Sequence, residues 1–231
     1  MNLLEINNVS KKYEGKYVLD NINIKIPKGK IIGLLGKNGA GKTTLFKIIN
    51  DLAVPTNGEV LFKGEKIGIK SKKDIAYLPE INYLDENQKV EEVLNFFKEF
   101  YDNFNLKKAK KLIKDLNIDE SITISKMSKG MQEKLRLILV MSRDASLYIL
   151  DEPLGGVDSV TREYIIETIL SNYKEKSSII ISTHLISDIE NIFDQVIFID
   201  KGKIVLNSSC DELRKKENKS IDEIFRGMFK W

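Results

Sequence analysis

Several features that would narrow the function are scarce or missing in this sequence. The 231 residues include one cysteine, Cys210, so no intrachain disulfide can form, which agrees with a reducing compartment. No apolar run approaches the roughly 18 residues that a membrane-spanning helix needs, and residues 1–9 lack the basic and apolar regions of a signal peptide. We therefore expect a cytosolic chain that does not cross a bilayer.

The chain also has no strong excess of one charge. It contains 37 basic and 34 acidic residues, and the net charge of +3 gives no general argument for binding nucleic acid or an anionic membrane. The lysine-rich residues 107–111 fit either a nucleic-acid patch or the commoner solvated face of a helix. With 42% hydrophobic residues, the sequence can furnish the core of a large globular domain.

What the sequence does contain is a phosphate-binding loop at residues 36–43. They follow the pattern glycine, four residues, glycine, lysine, threonine, in which glycines let backbone N–H groups converge on phosphate oxygens. Lys42 would reach the β- and γ-phosphates, Thr43 would place its hydroxyl on Mg²⁺, and Thr44 would pack or cap. An ordinary glycine turn is the alternative, but the apolar run before the loop and the helical spacing after it favour nucleotide binding. The predicted nucleotide-binding residues here are Gly36, Lys37, Asn38, Gly39, Ala40, Gly41, Lys42, Thr43 and Thr44.

The order of the predicted elements indicates an α/β fold with a mainly parallel sheet. Short apolar runs have the pattern of buried core strands, and helical periodicity separates them. These runs span residues 31–35, 75–78, 147–150 and 178–182. Other segments alternate apolar and polar residues, which predicts an antiparallel side sheet. They lie near residues 4–9, 22–26 and 59–64.

The remaining segments predict one hairpin and several helices. Residues 195–205 read as two strands that turn at Lys201-Gly202. The pattern is helical from residue 90 to residue 116 and resumes at Leu135. After Cys210 the tail is charged and then amphipathic from Ile221, which predicts a terminal helix docked on the body of the protein or on a partner.

A second constellation follows the apolar run at residues 147–150. Asp151 and Glu152 place two carboxylates at the carboxyl end of a predicted strand, the sheet edge at which ligands bind in open α/β folds. Asp151 would help to hold Mg²⁺ through its water shell, and Glu152 would activate the water that attacks the γ-phosphate. A solvated strand end is the alternative, but the phosphate loop upstream favours the catalytic interpretation.

Two further segments fit a nucleotide site less specifically. Ser128 and Gly130 precede a predicted helix, where they could hold an anion, although the pattern by itself favours a plain serine cap. Tyr13 lies between the first two predicted strands, in a predicted loop over residues 11–18. Its ring could stack on a purine or simply pack.

Taken in chain order, these motifs resemble the nucleotide-binding subunit of ABC transporters over residues 1 to about 206. The resemblance implies one ATPase domain with a P-loop nucleotide-hydrolase core and side sheet at residues 1–80 and 146–206, a helical subdomain at 81–145, and a helical tail at 207–231. The motifs that carry it are Tyr13, the phosphate loop, Leu78-Pro79-Glu80, Met127-Ser128-Lys129-Gly130-Met131, Ile149-Leu150-Asp151-Glu152, Gly156-Val157-Asp158 and Ser182-Thr183-His184.

The resemblance implies a role for each matching residue in binding ATP and Mg²⁺. Tyr13 should stack on adenine, Lys42 and Thr43 should hold phosphate and Mg²⁺, and Asp151 should support the metal. Glu152 becomes the candidate general base.

The resemblance also implies a site shared between two chains. Ser128 and Gly130 should contact the γ-phosphate bound to a second subunit, either an identical chain or a paralogue, and Asp158 should lie at the junction. A lone histidine is usually structural, but His184, the only histidine, matches the family residue that touches the γ-phosphate, so the resemblance implies a catalytic role for it.

Three departures from the family pattern stand out. Glu80 replaces the usual glutamine, so metal contact is retained in principle while hydrogen-bond donation is lost. Lys129 and Met131 replace a glycine and a glutamine, and the Lys129 charge either attracts phosphate or faces solvent. Gly155 replaces a serine, with no predicted effect. These variants resemble the bacterial subgroup that energises ABC-2-type permeases, many of them exporters.

The resulting hypothesis is an ATPase, peripheral on the inner face of the cell membrane, that powers a separate permease. The permease contact is expected between Glu80 and about Asn105, and no nucleic acid is expected. Two alternatives remain. One is a soluble ABC ATPase acting on nucleic acid or ribosomes, although those usually carry two cassettes or a coiled-coil insertion. The other is an ATP-binding regulatory module with little turnover, which Glu80 keeps open.

Overall fold

A computed structural model describes residues 2–173 and 176–229 of the chain. The described strands are β1 (Asn2–Tyr13), β2 (Lys16–Pro27), β3 (Ile31–Leu35), β4 (Asn57–Phe62), β5 (Glu65–Lys66), β6 (Ile75–Leu78), β7 (Leu147–Asp151), β8 (Ser178–Ser182), β9 (Gln195–Asp200) and β10 (Lys203–Ser209). The described helices are α1 (Lys42–Ile49), α2 (Ile69–Lys72), α3 (Val90–Phe100), α4 (Leu106–Asp115), α5 (Lys129–Met141), α6 (Ser159–Asn172), α7 (Ile186–Ile189), α8 (Cys210–Glu217) and α9 (Ile221–Phe229).

The larger sheet has six strands in the order β10-β9-β3-β8-β7-β6. Its five strands from β9 to β6 run parallel, and β10 pairs antiparallel with β9, so both the parallel core and the hairpin at Lys201-Gly202 are confirmed. Every residue of β3, β7 and β8 is buried, which explains their continuous apolar runs. Because these strands are parallel, the segments that follow them meet at one edge of the sheet.

The smaller sheet is antiparallel, with the strand order β2-β1-β4-β5, and confirms the predicted side sheet. The loop predicted over residues 11–18 is wrong, because β1 and β2 stay paired up to Tyr13 and Lys16. Only Glu14 and Gly15 form the turn, with φ of 49° and 79°. Two consecutive positive φ angles match the twist of the flanking strands, so such a two-residue turn lets the pairing continue to its end. Tyr13 therefore lies at the end of a strand.

The helices from α3 to α5 bury a hydrophobic cluster of their own, which includes Val93, Phe97 and Ile113. The continuous helical pattern predicted over residues 90–116 is divided into α3 and α4, because Asn105 accepts a hydrogen bond from Lys108 N (3.0 Å) and caps a new helix. The lysines of α4 mostly face solvent, as the solvated-face interpretation predicts.

The tail docks on the body of the protein. Ile221, Ile224 and Phe225 of α9 are buried in the core beneath the large sheet, and the Phe225 ring lies 5.3 Å from that of Phe198 in β9. Strand β10 extends to Ser209, past the predicted start of the tail at residue 207. Among the described residues, no helix has the length and apolar character needed to cross a membrane.

Candidate nucleotide-binding site

The phosphate loop joins β3 to α1 in the predicted strand–loop–helix order. Gly39 and Gly41 have φ of 78° and 108°, which other residues rarely adopt. A Cβ atom at Gly41 would also lie 2.7 Å from Leu19 Cδ2 and 2.9 Å from Val18 O. No side chain in the described part of the chain caps α1, so the backbone N–H groups of its first turn are available to bind an anion.

Lys42 is buried and folded back over the loop. Its Nζ donates to the carbonyl oxygens of Gly36 (2.8 Å) and Lys37 (3.3 Å), and lies 3.7 Å from Glu152 Oε1. The ammonium group thus lies between the loop backbone and the acidic end of β7. A polyphosphate bound in the loop would find this charge already in place.

Asp151 ends β7 and is buried. Ser182 Oγ donates to its Oδ1 (2.6 Å), whereas Oδ2 is buried without a hydrogen-bond partner among the described residues. Burial raises the pKa of this carboxyl, against the opposing effect of hydrogen bonds from Ser182 and Thr43. Burial of Tyr77, together with this carboxylate, raises the pKa of the Tyr77 hydroxyl. The site therefore holds a desolvated carboxylate with a free coordination position.

Glu152 has a left-handed backbone, with φ of 51°, although it is not a glycine. Its N–H donates to Ser182 O (3.1 Å) and to Ser182 Oγ (2.9 Å), which fixes the turn. Its Oε2 lies 2.8 Å from His184 Nδ1 and accepts a hydrogen bond from His184 N (3.2 Å). Because an ionised carboxylate only accepts, this pairing places a proton on Nδ1. Lys42 and His184 thus hold the Glu152 carboxylate from two sides.

Sequence reasoning missed the part that Ser182 plays. One hydroxyl accepts from Glu152 N and donates to Asp151, so it links the two carboxylate residues. The signal lay in the position of Ser182 at the end of β8, since β8 pairs with β7 and sets Asp151 opposite Ser182.

Two cavities of about 310 Å³ each meet at this end of the sheet. One is lined by Val18 and the phosphate loop, the other by Asp151, His184 and the amino-terminal half of α5. Glu80 and Glu152 line both cavities. Glu80, predicted from a motif more than 70 residues before Glu152, is therefore brought beside it by the pairing of β6 with β7.

The residues predicted to serve a second chain gather elsewhere. Ser128 caps α5 by accepting from Met131 N (3.3 Å), and Asp158 caps α6 by accepting from Thr161 N (2.8 Å). That hydrogen bond lowers the pKa of Asp158. A Cβ at Gly130 would lie 3.1 Å from Thr161 Oγ1, so the two caps are neighbours. Ser128, Gly130 and Asp158 line neither cavity beside the phosphate loop.

Tyr13 lies outside the cavity of the phosphate loop, whereas Lys129 lines the neighbouring cavity. The Tyr13 ring is exposed, with Lys11 Nζ 4.9 Å from its centre, and it does not line the cavity of the phosphate loop. The Lys129 ammonium group lies so close to Gly156 that a Cβ atom on residue 156 would clash with it. The same side chain lines the cavity that contains Glu152. Lys129 is thus an exposed residue whose ammonium group faces a cavity of its own chain.

The donors at this site suit a metal that arrives with a nucleotide. The free Oδ2 of Asp151 and the Thr43 hydroxyl are hard oxygen ligands, which Mg²⁺ prefers. Over residues 2–173 and 176–229, no group of three or more acidic, histidine or cysteine side chains could hold a metal by itself. Mg²⁺ in nucleotide sites usually has one or two protein ligands, the others being phosphate and water.

The buried Asp151 carboxylate yields a prediction about stability. A carboxyl whose pKa is raised by folding binds its proton more tightly when folded, so its ionisation destabilises the fold as pH rises above the unfolded value of 3.8. Without nucleotide or Mg²⁺, we expect Asp151→Asn to unfold at a higher temperature than the parent at pH 7. The difference should shrink as the pH is lowered toward 4. Asp102→Asn, on the surface, should leave the unfolding temperature unchanged at both pH values. An Asp151→Asn variant that is less stable than the parent at pH 7 would contradict the argument.

The geometry first defines the class of protein. A glycine loop at a helix N-terminus, facing a desolvated carboxylate and a glutamate–histidine pair at the next strand ends, belongs to an α/β nucleotide hydrolase. The family follows from comparison, since the ABC transporter family model matches residues 19–155. The chain belongs to this family and is an ATP-binding protein that hydrolyses ATP.

Individual relatives agree over nearly the whole chain. The lantibiotic transport ATP-binding protein SrtF of Streptococcus pyogenes is 31% identical over 235 residues, which cover 96% of each chain. A solved ATP-binding subunit of an ABC transporter superposes with a TM-score of 0.89 at 26% identity, covering 99% of this chain and 100% of that one. A dimeric cassette in a post-hydrolysis state, bound to ADP and Pi, has a TM-score of 0.78 over 89% and 98% of the two chains. At 21% identity, that last likeness concerns the fold alone.

Proposed function

We propose that this chain hydrolyses ATP to power a separate membrane permease, specifically an ABC-2-type exporter. The observation that carries the proposal is the Glu152 carboxylate, held between Lys42 and His184 beside an uncapped phosphate loop. This is the arrangement that a hydrolase needs, because a module that only bound ATP would not require a buried base. The transport assignment is supported by the likeness to SrtF, whose name places it in lantibiotic transport.

In the proposed reaction Glu152 is the general base. Its Oε1 is buried without a hydrogen-bond partner among the described residues, so a lone pair is available for the proton of an attacking water. His184 fixes the other oxygen and so orients the carboxylate. Lys42 would exchange its loop carbonyls for the β- and γ-phosphate oxygens, and Tyr13 would stack on adenine.

The metal would be held by Thr43 and Asp151, with Glu80 as a further oxygen ligand. Mg²⁺ bound there would neutralise charge on the phosphate oxygens. Asp151 would remain ionised because the cation offsets its desolvation, which is the physical reason for keeping a carboxylate buried at this position.

A second ATP-binding subunit, identical or a paralogue, would complete the site. Ser128, Gly130 and Asp158 are grouped at the exposed starts of α5 and α6, away from the phosphate loop of their own chain. The start of α5 can offer N–H groups to the γ-phosphate of a partner.

The permease is proposed to dock on a groove beside Glu80. The groove has a volume of about 300 Å³ and is lined mainly by aromatic and aliphatic side chains, among them Pro79, Tyr83 and Phe100. Phe96 and Phe100 are stacked, with centroids 5.6 Å apart, and are 54% and 67% exposed. Solvated phenylalanines at a groove that Pro79, the neighbour of Glu80, also lines favour a partner with an apolar helix, such as a cytoplasmic helix of a permease.

This docking proposal is tested by Phe100→Ala. In membranes that carry the permease encoded by the neighbouring gene, we expect the variant to lose most of the permease-stimulated ATPase activity. The activity of the isolated chain should stay within about twofold of the parent, because Phe100 lines neither cavity at the phosphate loop. Ile69→Ala is a matched control, since Ile69 is also highly exposed but lies outside the groove. Equal stimulation of Phe100→Ala and the parent would contradict the proposal, as would stimulation by ribosomes or nucleic acid in place of the permease.

A crosslinking experiment provides a second test of the docking proposal, independent of the ATPase assay. Cys210 is buried, and burial raises the pKa of its thiol to about 11, so it should react slowly. A cysteine introduced at position 100 should therefore crosslink to the permease without background. One introduced at position 69 should not, and the reverse pattern would place the contact elsewhere.

A further inference from the structure

Arg136 lies in the middle of α5 and is 2% exposed, which is unusual for a charged side chain. Its Nη1 donates to both carboxylate oxygens of Glu133, at 2.8 and 2.7 Å. Its Nη2 donates to the carbonyl oxygens of Pro79 and Ile81, the latter at 3.0 Å. These carbonyls flank Glu80, so one guanidinium group holds the backbone on both sides of that residue.

The same side chain reaches the groove proposed for the permease. The guanidinium carbon lies 5.6 Å from the centre of the Tyr83 ring, and Tyr83 and Pro79 both line the groove. On the opposite side, Glu80 lines both cavities at the phosphate loop. Arg136 therefore lines one of the two nucleotide cavities and also reaches the groove, and it lies on the helix that Ser128 caps.

We propose that Arg136 is a positioning residue that fixes the backbone at Glu80 to α5. A planar guanidinium group can bind a carboxylate and two carbonyls at once, and it does so here away from water, where such hydrogen bonds are strong and directional. Glu80 and α5 consequently move as one unit. A change at Glu80 on nucleotide binding would be transmitted to Ser128 and Tyr83 together. This inference rests on the proposed role of Glu80 in hydrolysis.

The decisive variant is Arg136→Met combined with Glu133→Gln, which removes the clamp without leaving an unpaired buried carboxylate. In the isolated chain we expect kcat to fall about 10-fold, with the KM for ATP within about twofold of the parent, since the phosphate loop is untouched. Arg136→Lys keeps the charge but lacks the planar group that binds the Glu133 carboxylate and the two carbonyls at once, so its kcat should lie between those of the parent and the double variant. Amide hydrogen exchange at residues 80–84 should quicken.

Arg143→Met is the matched control. Arg143 is also buried and donates to the carbonyls of Lys72, Lys73 and Ile75, none of which flanks Glu80. It should lower the unfolding temperature without the selective decrease in kcat. A similar kcat decrease in both arginine variants, at matched losses of stability, would overturn the inference, because Arg136 would then be only structural.

A Glu80→Ala background separates the inference from the function on which it rests. If Arg136 acts through residue 80, the double substitution at 133 and 136 should lower kcat no further in Glu80→Ala, whereas a structural effect would multiply with it. If Glu80→Ala alone keeps the parent kcat, the proposed role of Glu80 fails. If it lowers kcat and the two effects multiply fully, only the inference about Arg136 fails.

Discussion

Glu152→Gln is expected to lower the rate of ATP hydrolysis by about 10²- to 10⁴-fold, the usual contribution of a general base. The glutamine keeps the size of the side chain but loses the basic oxygen. Oε1 is the atom concerned, because it is buried without a hydrogen-bond partner among the described residues, whereas Oε2 is already bound by His184. The measurement is single-turnover hydrolysis at saturating ATP, which separates chemistry from binding and release.

The same variant should bind ATP as well as the parent does. Glu152 lies 3.7 Å from Lys42 Nζ, and removing its charge leaves the lysine free for phosphate. Because ATP would then persist between two subunits, the variant should elute as a dimer in ATP and as a monomer without it. Glu167→Gln, on the exposed face of α6, is the control and should behave as the parent. Hydrolysis at the parent rate would remove Glu152 from the role of base.

Lys42→Ala is expected to weaken ATP binding by about 10- to 100-fold for each hydrogen bond to phosphate that it removes, the factor that corresponds to a hydrogen bond between charged groups. The buried Nζ is held by Gly36 O and Lys37 O close to Glu152, so it meets the phosphates without a large rearrangement. The substitution also leaves the Glu152 carboxylate beside the polyanion without a compensating charge. Both effects act on affinity, and titration calorimetry with ATP measures them.

The control for this variant is Lys47→Ala, an exposed lysine at the other end of α1. It removes the same charge from the same helix, so a general electrostatic effect would weaken ATP binding in both variants. A specific interaction with phosphate would weaken it only in Lys42→Ala. Unchanged affinity in Lys42→Ala would contradict the phosphate-loop assignment.

These two variants probe a site that is costly to maintain. Asp151 is buried with a raised pKa, and Glu152 adopts a left-handed backbone. Both features disfavour folding, and both are offset locally by Ser182, which hydrogen-bonds each residue. The expected gain in stability of Asp151→Asn has the same origin, because a buried carboxylate that serves hydrolysis lowers the stability of the folded protein.

The sequence by itself determined the features that depend on neighbouring residues. The phosphate loop is contiguous because several backbone N–H groups must converge on one anion, so its pattern could be read directly at residues 36–43. The buried strands β3, β7 and β8 could also be predicted from the sequence, because a strand that is covered on both faces is mostly apolar along its length. The parallel arrangement then implied that Asp151, Glu152 and the loop share one edge.

Only the tertiary structure decided the contacts between distant segments. The clamp of Arg136 on Pro79 and Ile81 spans more than 50 residues, and no local pattern distinguishes it from any other helical arginine. The contact of the Lys129 ammonium group with Gly156 could likewise not be predicted, because it depends on Gly156 lacking a Cβ atom. Such contacts are set by how strands and helices pack once the chain is closed. A sequence pattern records which residue types are present, but not which distant atoms they meet.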